Sequence, residues 1–333
     1  MVVVNLFGLK ETNGMYYYAL DYINRLGHVE KILVNRVLYN KINDKDRSKF
    51  ICCSFFQLLV RLLFSFMRNK FVFTPTSHPI PFYSRQLVVV HDIYPFYYGR
   101  IAKIKRTLFN LAIFMSKTHL AYINKSEVLP YLSNNWFARG SLVYLPNLMP
   151  DVSSVNFSKR NRIPGELVIG LIGSDSTKKN YHALLEKIKN SEGISKKLKF
   201  IIYGHETDYA TSVIRSFSNF NIQVMTSDSC DLGTFFSNID LVVSVAKGEG
   251  FGRPLASAIA LGIPCFITNN SINNEFFSSV KPKKDINDVA TSIVNALHGE
   301  ITVNPIIARD KFVTSNKLLF ESSLLKLKEL VLK

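Results

Sequence analysis

The sequence has few of the residues that build metal centres or disulfide frameworks. Its four cysteines, Cys52, Cys53, Cys230 and Cys265, show no metal-ligand spacing. The adjacent Cys52 and Cys53 cannot readily pair with each other. The histidines form no convincing cluster, and we assign no Asp-x-Asp as a metal-holding pair. We therefore predict reduced thiols in a cytoplasmic protein and assign no metal site.

The chain also has no apolar run long enough to cross a membrane. Residues 51–67 are apolar at 13 of 17 positions, but Arg61 lies at their centre. A membrane-spanning helix needs ~20 apolar residues and rarely tolerates a central charge. Residues 1–8 lack the basic start and the cleavage site of a signal peptide, so we predict a first strand there.

Acidic residues are scarce in the first half of the chain. Residues 1–150 contain 19 Lys and Arg but 7 Asp and Glu, whereas residues 151–333 contain 22 and 18. This excess predicts an anionic partner for the first half, unless it serves solubility alone. Because the chain has no zinc-finger spacing, RNP-like sequence or DNA-reading motif, an acidic membrane surface or a phosphorylated acceptor is favoured over nucleic acid.

The apolar segment 51–67 has two interpretations, both of them helical. Its polar positions form one narrow stripe, made of Ser54, Gln57, Arg61 and Ser65 and continued by Arg68. In the first interpretation the helix is buried against the sheet of the N-terminal domain. In the second, large apolar side chains reach a lipid interface while basic ones meet anionic head groups. The apolar side chains would be Phe55, Phe56, Leu59 or Phe66, and the basic ones would be Arg61, Arg68 and Lys70.

A second amphipathic segment mildly supports the membrane interpretation. One helical face carries Ile101, Ile104, Leu108, Leu111, Ala112 and Met115. Another carries Lys103, Arg106, Asn110 and Lys117, and Lys105 adds to the positive charge. Both segments lie in the basic half of the chain.

Composition and patterning indicate two domains of the α/β class. The chain is 47% hydrophobic and 20% charged, which is typical of a globular protein, and 333 residues exceed one ordinary core. Predicted strands and helices alternate twice along the sequence, which favours two doubly wound, Rossmann-like domains. We place the N-terminal domain at 1–150, the C-terminal domain at 151–310 and a final helix at 311–333.

The most specific motif is Gly248-Glu249-Gly250-Phe251-Gly252-Arg253-Pro254, which follows the apolar run 240–245. That run reads as a buried parallel strand, and the glycines allow a sharp turn and a close approach to a ligand. Pro254 suits the first turn of a helix. Strand, loop and helix N-terminus together predict an anion site, in which the Glu249 carboxylate would meet hydroxyl groups. A phosphate beside a polyol is a nucleotide sugar.

Residues 249–258 resemble the signature E-G-F-G-x-P-x-x-E-A of retaining glycosyltransferases of the two-domain GT-B architecture, in the family 4 group. Weaker similarities follow in the family's order along the chain: Asn13-Gly14 before a helix, 88–92 with His91, Leu145-Pro146-Asn147, and 167–173 before Lys179 and Asn180. The resemblance implies two Rossmann-like domains facing a cleft. It also implies a last helix that crosses back onto the first domain.

The resemblance assigns roles to these residues without a metal or cofactor. Lys179 and the backbone amides of the loop would stabilise the leaving nucleotide diphosphate, the site comprising Gly173, Lys179, Gly250, Phe251, Gly252, Arg253 and Ser257. Glu249 would bind donor sugar hydroxyls, and His91 would contact the transferred sugar or orient the acceptor hydroxyl. Asn13 and Gly14 would form the acceptor-side loop.

Plainer roles stay open for several of these residues. Lys179 could instead be an ordinary surface lysine at a helix start. His91 could instead be a core histidine at a strand end, with its hydrogen bonds made within the protein. Asp92 has the alternative of capping the following turn, and Arg253 that of a salt bridge. In two places the chain departs from the family pattern, which has a ribose-binding carboxylate at position 257 and commonly an arginine at 174. Both positions are serine here.

The implied function is transfer of a sugar, with retention, from a nucleotide-diphosphate donor to a lipid-linked or glycan acceptor. We expect a cytoplasmic enzyme, peripheral on the inner face of the cell membrane, in bacterial surface polysaccharide synthesis. Ser174 and Ser257 support an alternative, a catalytically degenerate binding or scaffold subunit. An epimerase or phosphorylase on the same architecture is a third hypothesis. No segment suggests the lysine that would bind pyridoxal phosphate in a phosphorylase.

Overall fold

The computed structural model describes residues 1–43, 47–97, 99–153, 155–189, 194–248, 250–301 and 303–332. The chain divides into two compact units. The first consists of Met1–Leu148 with Lys317–Lys333, and the second of Met149–Asn316.

The first unit contains a seven-stranded parallel sheet. Its strands are β1 (Val2–Asn5), β2 (Val29–Val34), β3 (Phe50–Cys52), β4 (Phe71–Thr74), β5 (Gln86–Val90), β6 (His119–Tyr122) and β7 (Leu142–Tyr144). Their order is β3-β2-β1-β4-β5-β6-β7, so the winding direction reverses between β1 and β4. In such sheets ligands bind outside the carboxyl ends of the strands at the reversal point.

Helices cover both faces of this sheet, which is why its strands are continuously apolar. They are α1 (Gly14–Leu26), α2 (Arg36–Lys41), α3 (Phe55–Met67), α4 (Tyr94–Tyr97), α5 (Ala102–Ser116) and α6 (Val128–Ser133). Val88, Val89 and Val90 are fully buried. The last residues of the chain join the same core, where the Phe320 ring lies 4.7 Å from that of Tyr22.

The second unit contains a five-stranded parallel sheet of order β10-β9-β8-β11-β12. The strands are β8 (Leu167–Ile172), β9 (Leu198–Gly204), β10 (Asn221–Thr226), β11 (Leu241–Ser244) and β12 (Cys265–Ile267). The helices are α7 (Tyr181–Lys189), α8 (Asp208–Ser216), α9 (Leu232–Ser237), α10 (Arg253–Ala260), α11 (Ser271–Phe277), α12 (Ile286–Leu297) and α13 (Pro305–Leu332), whose residues from 317 on belong to the first unit. Here the winding reverses between β8 and β11. The prediction of an α/β protein with two doubly wound sheets is confirmed.

The structure differs from the helix predicted for residues 51–67 at the start of that segment. Residues 50–52 form the edge strand β3, which pairs with β2 through Ile32–Phe50 and Val34–Cys52. The helix begins only after Ser54, whose hydroxyl accepts a hydrogen bond from the Gln57 amide while the Gln57 side chain accepts one from the Ser54 amide. This capping box is a strong helix start signal. Parallel pairing therefore decides the structure up to Cys52.

Helix α3 is buried against the sheet through one narrow face only. Only Leu58, Leu62 and Ser65 of this helix are buried. Eight large apolar side chains are exposed: Phe55, Phe56, Leu59, Val60, Leu63, Phe64, Phe66 and Met67. Of the polar stripe, Ser65 is buried and donates its hydroxyl to the Arg61 carbonyl, whereas Ser54 and Gln57 are exposed. Leu58 and Leu62 pack in the core, and the other large apolar side chains of the helix lie outside.

Two basic residues expected at lipid head groups are engaged within the protein instead. The Arg61 guanidinium lies beside the Cys53 thiol, whose pKa is raised by burial. Lys70 forms an ion pair with Glu30 and lowers the pKa of that carboxyl. Arg68 remains exposed at the end of α3. In the part of the chain that the structure describes, no helix is both long and apolar enough to cross a bilayer.

Candidate functional site

The loop after β8 brings two of the predicted donor-site residues into contact. Gly173 has a left-handed backbone with φ of +91°. A Cβ at this position would lie 2.6 Å from Nζ of Lys179 and closer still to its Cε. A side chain at 173 would therefore displace the lysine as well as strain the backbone. The Lys179 side chain therefore lies beside Gly173 at the end of β8.

Tyr181 anchors this loop and was not identified from the sequence. Its buried hydroxyl lies 2.7 Å from the Gly173 carbonyl and 2.9 Å from that of Ile172. These hydrogen bonds tie the first residue of α7 to the last residues of the strand. An aromatic residue at a helix start is typical of core packing, so no sequence signal distinguishes this one.

A backbone hydrogen bond joins the lysine loop to the glycine-rich loop. The Lys247 amide, just after β11, donates to the Lys178 carbonyl at 2.8 Å. The two loops follow neighbouring parallel strands, so they meet at one edge of the sheet, at the point where the winding reverses. The structure thus brings together two motifs that lie about 70 residues apart in the sequence.

The glycine-rich loop leads into α10 as predicted. Gly248 and Gly252 both have left-handed backbones, with φ of +76° and +75°. Gly252 is the residue before the helix, and Arg253 and Pro254 form its first turn, so their amide end faces the loop. Glu249, the predicted sugar-binding carboxylate, lies outside the described residues.

Phe251 holds this loop against the core. Its side chain is 4% exposed, and its ring lies 5.0 Å from Phe276 and 5.5 Å from Phe277. The phenyl ring is thus a packing element, and the backbone amide is what residue 251 can offer a phosphate.

The two serines at the departures from the family pattern are both buried. Ser174 donates its hydroxyl to the His205 carbonyl at 2.6 Å and packs against Gly204. Ser257 donates its hydroxyl to the Arg253 carbonyl, one helical turn back, at 3.2 Å. Each hydroxyl proton is therefore used by the backbone. A nucleotide contact by Ser257 stays a prediction, limited to the lone pairs of its oxygen.

In the first unit, His91 follows β5 as predicted, and it is neutral. Its Nε2 donates to the Pro75 carbonyl at 3.1 Å, and its ring lies edge-on to Tyr18 at 4.5 Å. Burial lowers the pKa of His91 to about 4. With Nε2 donating, Nδ1 is the atom that can accept a hydrogen bond, for example from a sugar hydroxyl.

The neighbouring predicted residues serve the backbone. Asp92 accepts a hydrogen bond from the Tyr94 amide at 2.6 Å, which is the capping role left open from the sequence. Asn13 caps α1 by accepting from the Met15 and Tyr16 amides, and Gly14 is the first residue of that helix. An acceptor-side role for Asn13 and Gly14 stays a prediction. Within the part of the chain that the structure describes, no group of three or more His, Cys, Asp or Glu side chains is suited to hold a metal ion.

Two doubly wound parallel sheets and a glycine-rich loop opening a helix in the second unit are the features of the GT-B architecture. Residues 154–311 match the sequence model of the family Glycosyl transferases group 1. The match lies within the second unit, so this part of the chain is similar to the group 1 glycosyltransferases.

Known proteins with similar sequences or structures are consistent with this family. The O-antigen chain mannosyltransferase RfbU of Salmonella typhimurium is 24% identical over 270 residues, which cover 78% of this chain and 73% of the relative. HepE of Anabaena, solved in complex with UDP and glucose, superposes with a TM-score of 0.70 at 13% identity over 98% of both chains. WaaG, a glycosyltransferase involved in lipopolysaccharide biosynthesis, gives a TM-score of 0.67 at 12% identity over 99% of both chains.

Proposed function

We propose that this protein transfers a sugar, with retention of configuration and without a metal ion, from a nucleotide-diphosphate donor to a lipid-linked or glycan acceptor. The observation that carries the proposal is the hydrogen bond from the Lys247 amide to the Lys178 carbonyl. It holds a lysine and the amide end of a helix at one sheet edge. This is the arrangement that a leaving diphosphate requires.

Charge development at the donor explains the roles of the second unit. Cleavage of the bond to the sugar leaves negative charge on the diphosphate. The Lys179 ammonium and the amides at the start of α10 stabilise that charge, and Arg253 in the first turn adds a second cation. Gly248 and Gly252 have left-handed backbones with positive φ, which let the loop approach the phosphates closely.

The remaining steps concern the sugar and the acceptor. Glu249 accepts hydrogen bonds from donor sugar hydroxyls, and neutral His91 accepts one through Nδ1 or orients the acceptor hydroxyl. In retaining transfer of this kind the acceptor attacks on the face from which the diphosphate departs. The leaving phosphate takes the proton, so no separate protein base is required.

We further propose that the enzyme works on the inner face of the cell membrane in bacterial surface polysaccharide synthesis. The exposed apolar face of α3, followed by exposed Arg68, supports contact with an anionic bilayer. The basic excess of residues 1–150 supports the same contact. The similarity to a relative named for O-antigen chain mannosylation supports a polysaccharide acceptor.

Nucleotide binding at the predicted donor site is the first test. Thermal stability is measured with UDP, GDP, dTDP, ADP and CMP for the natural protein, Lys179→Ala and the control Lys187→Ala, an exposed lysine on α7. A ligand at 100 times its Kd adds about 2.7 kcal/mol of stability. We expect one nucleotide to stabilise the natural protein and the control but not Lys179→Ala. No stabilisation by any nucleotide would reject the donor site and favour the scaffold alternative.

A further inference from the structure

An apolar groove lies in the first unit at the carboxyl ends of β1, β4 and β5. Its volume is about 670 Å³. Residues after β1 (Gly8, Leu9), after β4 (Thr76–Phe82) and after β5 (Asp92, Pro95, Phe96) contribute to its wall, which α5 completes. The groove therefore lies where the winding of this sheet reverses, which is where ligands bind in doubly wound folds. Its volume suits a small-molecule or lipid ligand.

We propose that this groove binds the apolar chain of a lipid phosphate. The proposal rests on the proposed function, in which such a lipid carries the acceptor. The groove would then hold the carrier lipid while its head group remains at the sheet edge, near His91.

The wall of the groove excludes a purely polar occupant. Its large side chains are Leu9, Phe82, Phe96, Leu108, Leu111 and Met115. Hydroxyl groups of a glycan placed against these side chains would lose hydrogen bonds to water without replacement, whereas a hydrocarbon chain would be transferred out of water favourably. Leu108 and Leu111 are 61% and 52% exposed, so much of their apolar surface is accessible to a ligand.

The groove is also open along α5, in the manner that an elongated chain needs. Ile101 and Ile104 continue the same apolar helical face and are 53% and 59% exposed. Phe82, on the loop after β4, is 69% exposed and has a left-handed backbone with φ of +63°. A bulky residue adopts that conformation only at an energetic cost, yet here it adds an exposed aromatic ring to the groove wall.

The surroundings of the groove carry an excess of positive charge. Residues 76–117, which supply most of the wall, contain six Lys and Arg and one acidic residue, Asp92. Of these charged residues, Lys105 and Asp92 line the groove itself. Lys105 lines the groove together with His78, whose pKa is lowered by burial and by Lys105. Apolar wall and cationic surroundings together select a molecule with a hydrocarbon chain and a phosphate, rather than either part alone.

The test measures binding of geranylgeranyl diphosphate by isothermal titration calorimetry, below the concentration at which this lipid forms micelles. Inorganic pyrophosphate serves as the head-group control. The groove variant is Leu108→Gln/Leu111→Gln, since glutamine has a similar shape and good helix propensity. Its matched control is Leu318→Gln/Leu325→Gln, two leucines of α13 that are 64% and 62% exposed and lie outside the groove.

We expect geranylgeranyl diphosphate to bind at least tenfold more tightly than pyrophosphate, because burying the chain adds apolar contact. The groove variant should lose at least about tenfold in affinity for the lipid and none for pyrophosphate, and the control should keep full affinity. Circular dichroism of each variant checks folding.

Three results would overturn the proposal: equal affinity for lipid and pyrophosphate, an unaffected groove variant, or an equal loss in the α13 control. The nucleotide experiment keeps the two proposals distinguishable. Failure of the natural protein to bind the lipid, with Lys179-dependent nucleotide stabilisation intact, rejects the groove alone. Lipid binding that depends on Leu108 and Leu111 supports the groove even where every nucleotide fails.

Discussion

Lys179 fills the space beside Gly173 that any other residue at position 173 would need. Its Nζ lies 2.6 Å from the point where a Cβ would be, and Tyr181 holds the Gly173 carbonyl at 2.7 Å. The position of Lys179 and the absence of a side chain at 173 are therefore two parts of one arrangement.

Gly173→Ala should therefore lower both stability and nucleotide affinity. We expect a loss of at least ~1 kcal/mol in the free energy of unfolding, because alanine is strained at φ of +91°. Gly165→Ala is the control, since Gly165 also has a left-handed backbone but no atom lies within 4 Å of its Cβ position. Urea denaturation and nucleotide-induced thermal shifts measure the two effects. An unchanged nucleotide shift in Gly173→Ala would show that the lysine does not depend on this glycine.

Phe251→Ala should destabilise the second unit strongly. The ring is 4% exposed and contacts Phe276 and Phe277, so its removal leaves a cavity beside the glycine-rich loop. Truncation of a buried phenylalanine costs about 3–5 kcal/mol. Chemical denaturation gives the change, and Phe251→Leu should lose less. A loss below ~1 kcal/mol in Phe251→Ala would contradict a packing role.

His91 should make folding stability depend on pH. Its pKa of about 4 in the folded protein lies below the ~6.5 of an unfolded chain, so the folded state binds fewer protons. The stabilisation is complete above pH ~6.5 and is lost as the pH falls from there towards 4, by up to ~3 kcal/mol. Burial also lowers the pKa of His78 and His119, so His91→Gln is needed to isolate this contribution.

The measurement is the unfolding free energy of the natural protein and of His91→Gln at pH 7.5 and pH 5. Glutamine retains a side-chain donor for the Pro75 carbonyl. We expect a smaller pH dependence in the variant. Identical pH dependence in both proteins would contradict a buried neutral imidazole.

Glu249→Ala should abolish sugar transfer while the protein stays folded. The prediction follows from the proposed role of its carboxylate in holding sugar hydroxyls, with the phosphate contacts supplied by other residues. Transfer assays with the nucleotide sugar identified by thermal shift measure the effect, and the shift itself should persist in the variant. Undiminished transfer would reject the assigned site.

Helix α3 should bind anionic vesicles through its exposed apolar face. Phe56 and Phe64 are 74% and 53% exposed, so Phe56→Ser/Phe64→Ser should reduce membrane binding without unfolding the helix. Co-sedimentation with phosphatidylglycerol vesicles measures binding, and Leu318→Ser/Leu325→Ser on α13 is the matched control. Equal binding by the natural protein and the α3 variant would show that α3 does not make the membrane contact. Binding by neither protein would show that no such contact exists.

Much of the fold was predictable because its signals are local. The run 240–245 reads as a buried strand whatever surrounds it, and Gly252, Arg253 and Pro254 specify a helix start through their own backbone preferences. The segments 88–90 and 167–172 are similarly continuous in apolar character. A doubly wound arrangement follows, because parallel strands joined by helices leave few other topologies.

Residues 50–52 and α3 show where local signals were insufficient. Their apolar composition predicts a helix, yet pairing with β2 makes residues 50–52 a strand. Amphipathicity defines two faces of α3 but not which of them meets the sheet. In the structure Leu58, Leu62 and Ser65 form the buried face, and most of the large apolar side chains of α3 lie outside.

The sequence by itself determines features that depend on neighbouring residues. These are the family motif, the basic first half and the alternation of strands and helices. The contact between Lys179 and Gly173, the bond between Lys247 and Lys178, and the meeting of α5 with the loop after β4 are different in kind. Each joins residues that the sequence separates, and each depends on strand order and on how side chains fill the space between elements. Packing in three dimensions therefore determines the contacts of the loop around Lys179 and forms the apolar groove, because no local preference specifies which distant groups share a sheet edge.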